Sequence, residues 1–492
     1  MEIAIFVLEL FKIFIHVNKS ISMIRKLPEV DIDKENPFKN CKLDRQIYAE
    51  ILTHVVSNNS GFVLAIDGHW GSGKTTFMKM WKQSLENRDF RVLYFNVWEY
   101  DFNTDPMIGM VSQLRSMSKE YDKKGKIKKF VLASGRIAKN TIPVALKLGA
   151  KQITGEWGAD VIEAIIKTGA DSFGKRLDAY EKQCQSIKDF RTALEDLVTS
   201  ISEEKPLIFI IDELDRCNPH FAVKVLERVK HLFNVQNIVF VLSIDKAQLC
   251  HSICGYYGSE KLNAEEYLKR FIDIEYKLPE PKVNTFVPYL YDMYEFSNFF
   301  AHRDTIQRNP EQEKDEFSRT AEILFEYMHF NLRQMEKIFA HIRLAFQTYG
   351  NKQAITPGLM LLLTCFRVTD SNFYDKIVNR RFEAQGLLDY VEEKFPIDFL
   401  SKNKMLAEYI LRYIVWEIAE LIVSYNLNER AERYEELIQE NSSKLLIKPK
   451  HLSIDLLKEA ITYYDSSSRI VLPLSNIIQH LEFLTPFYLA AE

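Results

Sequence analysis

An apolar run that breaks into glycines and then a lysine constrains this chain more than any other stretch. Phe62-Val63-Leu64-Ala65-Ile66 reads as a buried strand of a parallel sheet, and it runs straight into Gly68-x-x-x-x-Gly73-Lys74-Thr75. From Thr76 to Glu86 the apolar residues Phe77, Met80, Trp81 and Leu85 fall on one helical stripe. Strand, glycine-rich loop and helix, in that order, form the setting in which backbone N–H groups wrap a triphosphate. Glycines tolerate positive φ and let the main chain approach the anion, while the helix N-terminus contributes the positive end of its dipole. The expected cradle is Gly68, His69, Trp70, Gly71, Ser72, Gly73, Lys74, Thr75 and Thr76. Lys74 would reach the β- and γ-phosphate oxygens, and the Thr75 hydroxyl would hold Mg²⁺. At average glycine usage the eight-residue pattern arises by accident in about one or two in a hundred chains of this length, so nucleotide binding is the reading the residues favour.

A second chemical centre is Leu207-Ile208-Phe209-Ile210-Ile211-Asp212-Glu213-Leu214-Asp215-Arg216. Five apolar residues ending in acids describe a central strand that delivers carboxylates to its carboxyl edge, where open α/β sheets bind ligands. Asp212 is expected in the Mg²⁺ shell and Glu213 as the general base for an attacking water. The plainer alternatives are a helix N-cap for Asp212 and a local ion pair with Arg216 for Glu213. The next apolar strand, Ile238 to Asp245, ends in Ser243 and Asp245, polar groups placed either to sense the γ-phosphate or simply to close a strand. Arg270, before a last strand at Phe271 to Leu278, is either an arginine finger acting in trans or a helix C-terminal cap.

At 492 residues the chain has room for two or three domains. A net charge of −4 excludes a basic nucleic-acid binder as a description of the whole molecule. Six scattered cysteines make no disulfide framework and favour a reducing cytosol. Cys250, His251 and Cys254 have metal-like spacing but no second ligand pair, which favours an ordinary helix. Residues 1–17 are apolar but interrupted by Glu2, Glu9 and Lys12, short for a membrane span and without a basic leader or cleavage site. They read as an amphipathic anchor, a docking helix, or an extension of a chain that begins at Met23. No transmembrane helix is expected elsewhere.

Lys42 to Val56 and Met107 to Ser116 read as helices, and Arg91 to Val97 as a strand. Residues 117–186 break the α/β alternation and read as an insert of small-residue amphipathic helices. Its lysines at 123, 124, 126, 128 and 129 suit either anionic phosphate or solvent. Beyond Pro279 the pattern is helical, with a charged linker at Arg303 to Lys314. Helices follow at Glu316–Met328, Leu332–Tyr349 and Met405–Tyr425, the last with a broad apolar stripe that reads as core or, alternatively, a partner groove.

Taken together these motifs resemble the KAP family of P-loop NTPases over about residues 35–345. The likeness rests on Gly68-His-Trp70-Gly71-Ser72-Gly73-Lys74-Thr75, Asn96-Val-Trp98, Ile211-Asp212-Glu213-Leu214-Asp215-Arg216-Cys217, Val239 to Asp245, Lys269-Arg270…Leu278-Pro279 and Asn331-Leu332-Arg333-Gln334. The resemblance implies a three-layer α/β sandwich with strand order 5-1-4-3-2, an insert between the two Walker motifs, and relatives among AAA+ and STAND ATPases. Many members carry transmembrane helices in that insert, whereas 117–186 is too polar to span. By similarity Arg333 would reach the nucleotide from a helical lid, and bacterial members often resemble phage-exclusion components.

The reading is therefore an α/β NTPase domain at 31–285 and an all-helical domain at 286–492, after an N-terminal segment at 1–30. It would bind ATP and Mg²⁺, self-associate, and act in the cytoplasm as a switch, with peripheral membrane contact through 1–17 or 117–186. ATP over GTP rests on the family likeness alone. The alternatives are a nucleotide-binding scaffold that recruits an effector protein or nucleic acid, and, less favoured, a small-molecule kinase.

Overall fold

The computed structural model describes residues 30–102, 105–121, 125–141, 159–202, 204–233, 235–303, 310–395, 404–427, 437–439, 444–465 and 471–484. The apolar segment 1–17, Lys123, Lys124 and the stretch from Ile142 to Leu146 lie outside them. The chain divides into two compact units, the first covering residues 30–280 and the second residues 281–492.

The first unit is built on five parallel strands: β1 (Phe62–Asp67), β2 (Val92–Asn96), β3 (Leu207–Asp212), β4 (Ile238–Ile244) and β5 (Ile274–Lys277). Their order is β2-β3-β4-β1-β5, the expected 5-1-4-3-2 read from the other edge. Because side chains alternate along a strand, each strand feeds two cores. Leu64, Ile66, Ile208, Ile210, Val239 and Val241 pack with Leu52 and Val56 of α1 (Gln46–Asn58) and with Phe77, Met80 and Trp81 of α2 (Lys74–Glu86). Val63, Ala65, Phe95, Phe209, Ile211, Phe240 and Leu242 face the opposite layer. That layer contains α3 (Pro106–Tyr121), α4 (Lys126–Thr141), α5 (Ala159–Ile201), α6 (Pro219–Arg228), α7 (Lys246–Tyr257) and α8 (Ala264–Leu268). The three-layer sandwich follows directly from strands that are apolar on both faces.

Two of the insert's lysines pair with an acid of the fold. Lys126 and Lys129 lie 4.0 and 2.8 Å from the Asp196 carboxylate of α5, and Arg136 lies 3.6 Å from Asp189. Cys250 and Cys254 pack against the core on α7, where the Cys254 thiol meets the Leu262 carbonyl at 3.6 Å and burial pushes the Cys250 thiol up to about 11. The last strand is shorter than the expected Phe271 to Leu278, since pairing with β1 runs only from Ile274 to Lys277.

The second unit is helical: α9 (Val283–Met293), α10 (Phe296–Ala301), α11 (Pro310–Tyr327), α12 (Leu332–Phe346), α13 (Pro357–Thr369), α14 (Ser371–Val378), α15 (Ala384–Lys394), α16 (Lys404–Tyr425), α17 (Ile454–Asp465) and α18 (Leu474–Leu481), with a small β6–β7 ribbon (Ile438–Gln439, Lys444–Leu445). Phe296, Phe317, Phe339 and Phe346 meet at ring-centroid separations of 4.6 to 5.8 Å and form its aromatic centre. The charged stretch at 303–314 is not simply a linker. Arg303 Nε donates to Glu313 Oε2 at 2.8 Å with both side chains out of solvent, and α11 has already begun at Pro310. In the described part of the α16 stripe Ile414, Ile418 and Leu421 are buried as core, while the side chains at 406, 409 and 410 lie outside the described residues. The helix also buries two acids, Glu417 and Glu420, whose carboxylates gather with that of Glu316. The Thr320 hydroxyl donates to Glu417 at 3.2 Å.

Candidate nucleotide-binding site

The loop after β1 has the backbone a phosphate cradle needs. Gly71 and Gly73 sit at φ +80° and +83°, the left-handed region that side chains disfavour, and Gly73 caps α2. A Cβ on Gly68 would lie 3.1 Å from Ser72 Oγ and 3.4 Å from Lys74 Cδ, so a larger residue there would crowd the lysine. Lys74 is buried, and its ammonium donates to the carbonyls of Gly68 and His69. Burial pushes its pKa down, opposed by the carboxylates of Asp215, Asp245, Asp212 and Asp67. From outside the loop, buried Arg45 donates through Nη2 to the Ser72 carbonyl at 2.7 Å.

The strand register carries the second half of the site. Asn96, Asp212, Ser243 and Ile66 stand in one row across the carboxyl edge of β2, β3, β4 and β1. Asp212 is 1% exposed and accepts from the Tyr94 hydroxyl at 2.7 Å and from the Glu213 N–H at 2.9 Å. The plain alternative for Glu213 is realised in the geometry: its Oε1 lies 2.6 Å from Arg216 Nη1. Glu213 also holds φ +63°, unusual for a residue with a long side chain and of the kind concentrated at functional sites. Ser243 is fully buried, and its hydroxyl, like that of buried Ser72, has no hydrogen-bond partner among the described residues. Asp245 accepts from the Trp70 N–H at 2.9 Å and from the Gln248 N–H at 3.3 Å, so it caps α7 and ties the loop to β4.

Asp215, Tyr94 and Arg45 join the site without having been assigned a role from sequence. The Asp215 carboxylate accepts from the Trp70 indole N–H, and burial raises its pKa against the pull of Trp70 and Lys74. The only advance signal was that Asp215 belongs to the acid-rich turn after β3. Lys74, Asp212, Asp215 and Asp245 thus converge, and Arg270 does not join them. Arg270 is exposed and precedes β5, at the end of the sheet opposite the loop. Arg333 is exposed in the first turn of α12, in the helical unit.

A parallel sheet of this order, with a phosphate loop after β1 and paired acids after β3, defines a P-loop NTPase. Residues 45–346 match the KAP family P-loop domain, and the chain belongs to that family. Over 241 residues it is 24% identical to the phage T7 exclusion protein of Escherichia coli (strain K12). That match covers 45% of this chain and 30% of the relative, so the chain spans under a third of its length. Among solved structures it is similar to the Aeropyrum pernix ORC2 protein (ADPNP–ADP complexes), with TM-score 0.30 and 13% identity over 85% of this chain and 94% of that one. Among the described residues no helix is long and apolar enough to cross a membrane.

Proposed function

We propose that the chain binds ATP with Mg²⁺ at this sheet edge and hydrolyses it slowly as a self-associating switch in phage exclusion. The observation that carries the reading is the convergence of buried Lys74, Asp212 and Asp215 on a loop with two left-handed glycines. The buried hydroxyls of Ser72 and Ser243, lacking partners among the described residues, fit a site completed by a polar ligand. Thr75 and Asp212 would hold the metal ion, which supplies charge neutralisation on the phosphate oxygens. In the step itself a water oxygen bonds to the γ-phosphorus, the bond to the bridging oxygen breaks with its electrons passing to ADP, and Glu213 takes the water's proton. ATP is favoured by the family resemblance, and the exclusion role by the relative's name. The exposed position of Arg270 suits a finger offered to a second copy rather than to its own site.

The Glu213–Arg216 pair favours a second reading, a nucleotide-binding scaffold with little turnover. Phosphate release by wild type, Lys74→Ala and Glu213→Gln, with nucleotide affinity and oligomer size followed in the same samples, separates the two. The hydrolytic reading expects turnover in wild type alone and an ATP-bound assembly in Glu213→Gln. Equal phosphate release by wild type and Glu213→Gln would remove Glu213 as base.

A further inference from the structure

We infer that Arg216 is a positioning residue that parks Glu213 and so sets the basal turnover of this site. The inference rests on the hydrolytic reading above. Glu213 must present a free carboxylate oxygen to water, yet its Oε1 is held 2.6 Å from Arg216 Nη1, one turn along the same acid-rich segment. Arg216 is itself held: its guanidinium lies 5.8 Å from the centre of the Trp98 ring, within cation–π range. Trp98 sits on the short 3-10 turn Val97–Tyr100 that follows β2, and Asn96 fixes that turn by accepting from the Trp98 N–H at 3.2 Å. The Asn96 amide is also occupied, donating to Glu99 Oε1 at 3.0 Å. Arg216 is therefore the cation paired with Glu213 at the edge of the site, and the end of β2 supports it.

The pair is strong enough to matter and weak enough to open. Glu213 is largely shielded, with 11% of its side chain exposed against 27% for Arg216, so the interaction is partly screened. A pair of ordinary strength in such a setting biases Glu213 by a factor of roughly five, which is the gain expected on removing it. The positive φ of Glu213 fixes its backbone, so release changes the side chain without remaking the turn.

The test measures kcat and KM for phosphate release, and nucleotide affinity separately, in wild type, Arg216→Ala, Arg216→Lys, Trp98→Ala and the double variant Glu213→Gln/Arg216→Ala. Arg216→Ala should raise kcat about fivefold with KM and affinity unchanged. Trp98→Ala should move in the same direction by less. Arg216→Lys should lie between wild type and Arg216→Ala, because an ammonium keeps the charge but not the flat guanidinium over the ring. The double variant should lose the gain entirely, and added salt should speed wild type more than Arg216→Ala. Wild-type turnover with Arg216→Ala no faster overturns the inference and leaves the hydrolytic reading standing. Binding without phosphate release in wild type and in both single alanine variants overturns both.

Discussion

Trp70 is the residue on which two strand ends converge. Its backbone N–H donates to Asp245 after β4, and its indole N–H donates to Asp215 after β3. One loop residue therefore ties the phosphate cradle to the exits of both central strands. The bond also matters to Asp215, whose carboxyl is already driven upward by burial. Trp70→Phe keeps most of the ring and removes only the donor, leaving a buried acceptor short of a partner. Such a loss costs about 1–3 kcal/mol of stability, and a loosened cradle should weaken nucleotide binding about tenfold. Chemical denaturation and a fluorescent-nucleotide titration read the two effects independently. An unchanged unfolding midpoint would mean that the indole bond contributes nothing in solution.

At the scale of elements, two glycines in helices test how tightly the layers pack. Gly109 lies on α3 where a Cβ would meet Phe95 Cζ of β2 at 2.7 Å, and Phe95 is fully buried. Gly135 lies on α4 with nothing within 4 Å of the same position. Helix propensity alone favours alanine at both by about 0.5–1 kcal/mol. At Gly109 overpacking should reverse the sign and destabilise by about 1–3 kcal/mol, while Gly135→Ala should stabilise by up to about 1 kcal/mol. Urea midpoints of the two variants, moving in opposite directions, check the contrast. The same scale shows what the sequence made legible. The strands, the loop and α2 announced themselves because periodicity and glycine spacing are local signals. Arg303 and Glu313 did not, because charge normally implies solvent, and only the folded helical unit shows the pair closed within its core. Nor did the bracing of the loop: Trp70 and Asp215 are 145 residues apart, Tyr94 and Asp212 118, and no spacing rule connects them. Asp245 stays open between a phosphate sensor and a strand end in the sequence, because only its hydrogen-bond partners show that it caps α7 and holds the loop.

At the scale of the molecule the helical unit carries two histidines whose pKa burial lowers. They are opposed there by Glu322 and Glu336, whose carboxyls burial raises as it raises Asp215 in the α/β unit. In the helical unit His480 is buried against Tyr349, with ring centroids 3.6 Å apart. The Thr348 hydroxyl donates to the Ala345 carbonyl at 2.6 Å, so its contact with His480 Nδ1, also 2.6 Å, requires the imidazole to be the donor. Burial lowers the His480 pKa from 6.5 to about 4, and burial beside Arg367 lowers that of His341 in the same sense. Between pH 6.5 and about 4 the unfolded chain binds a proton that folded His480 refuses, so stability falls as pH falls. At pH 5 this amounts to about 2 kcal/mol from His480 alone. In the α/β unit Asp215 acts the other way. Its raised folded pKa means that the native state binds protons above 3.8 more readily than the unfolded chain, a contribution lost as pH rises through the folded value. Acidification from pH 7.5 to 5 should therefore reduce amide-exchange protection in α12, α13 and α18 while sparing β1, β3 and β4. Hydrogen exchange resolved by peptide measures both sets in one sample, and His480→Gln should flatten the response of the helical unit. Equal losses in both units, or a slope unchanged in His480→Gln, would place the acid sensitivity outside this imidazole.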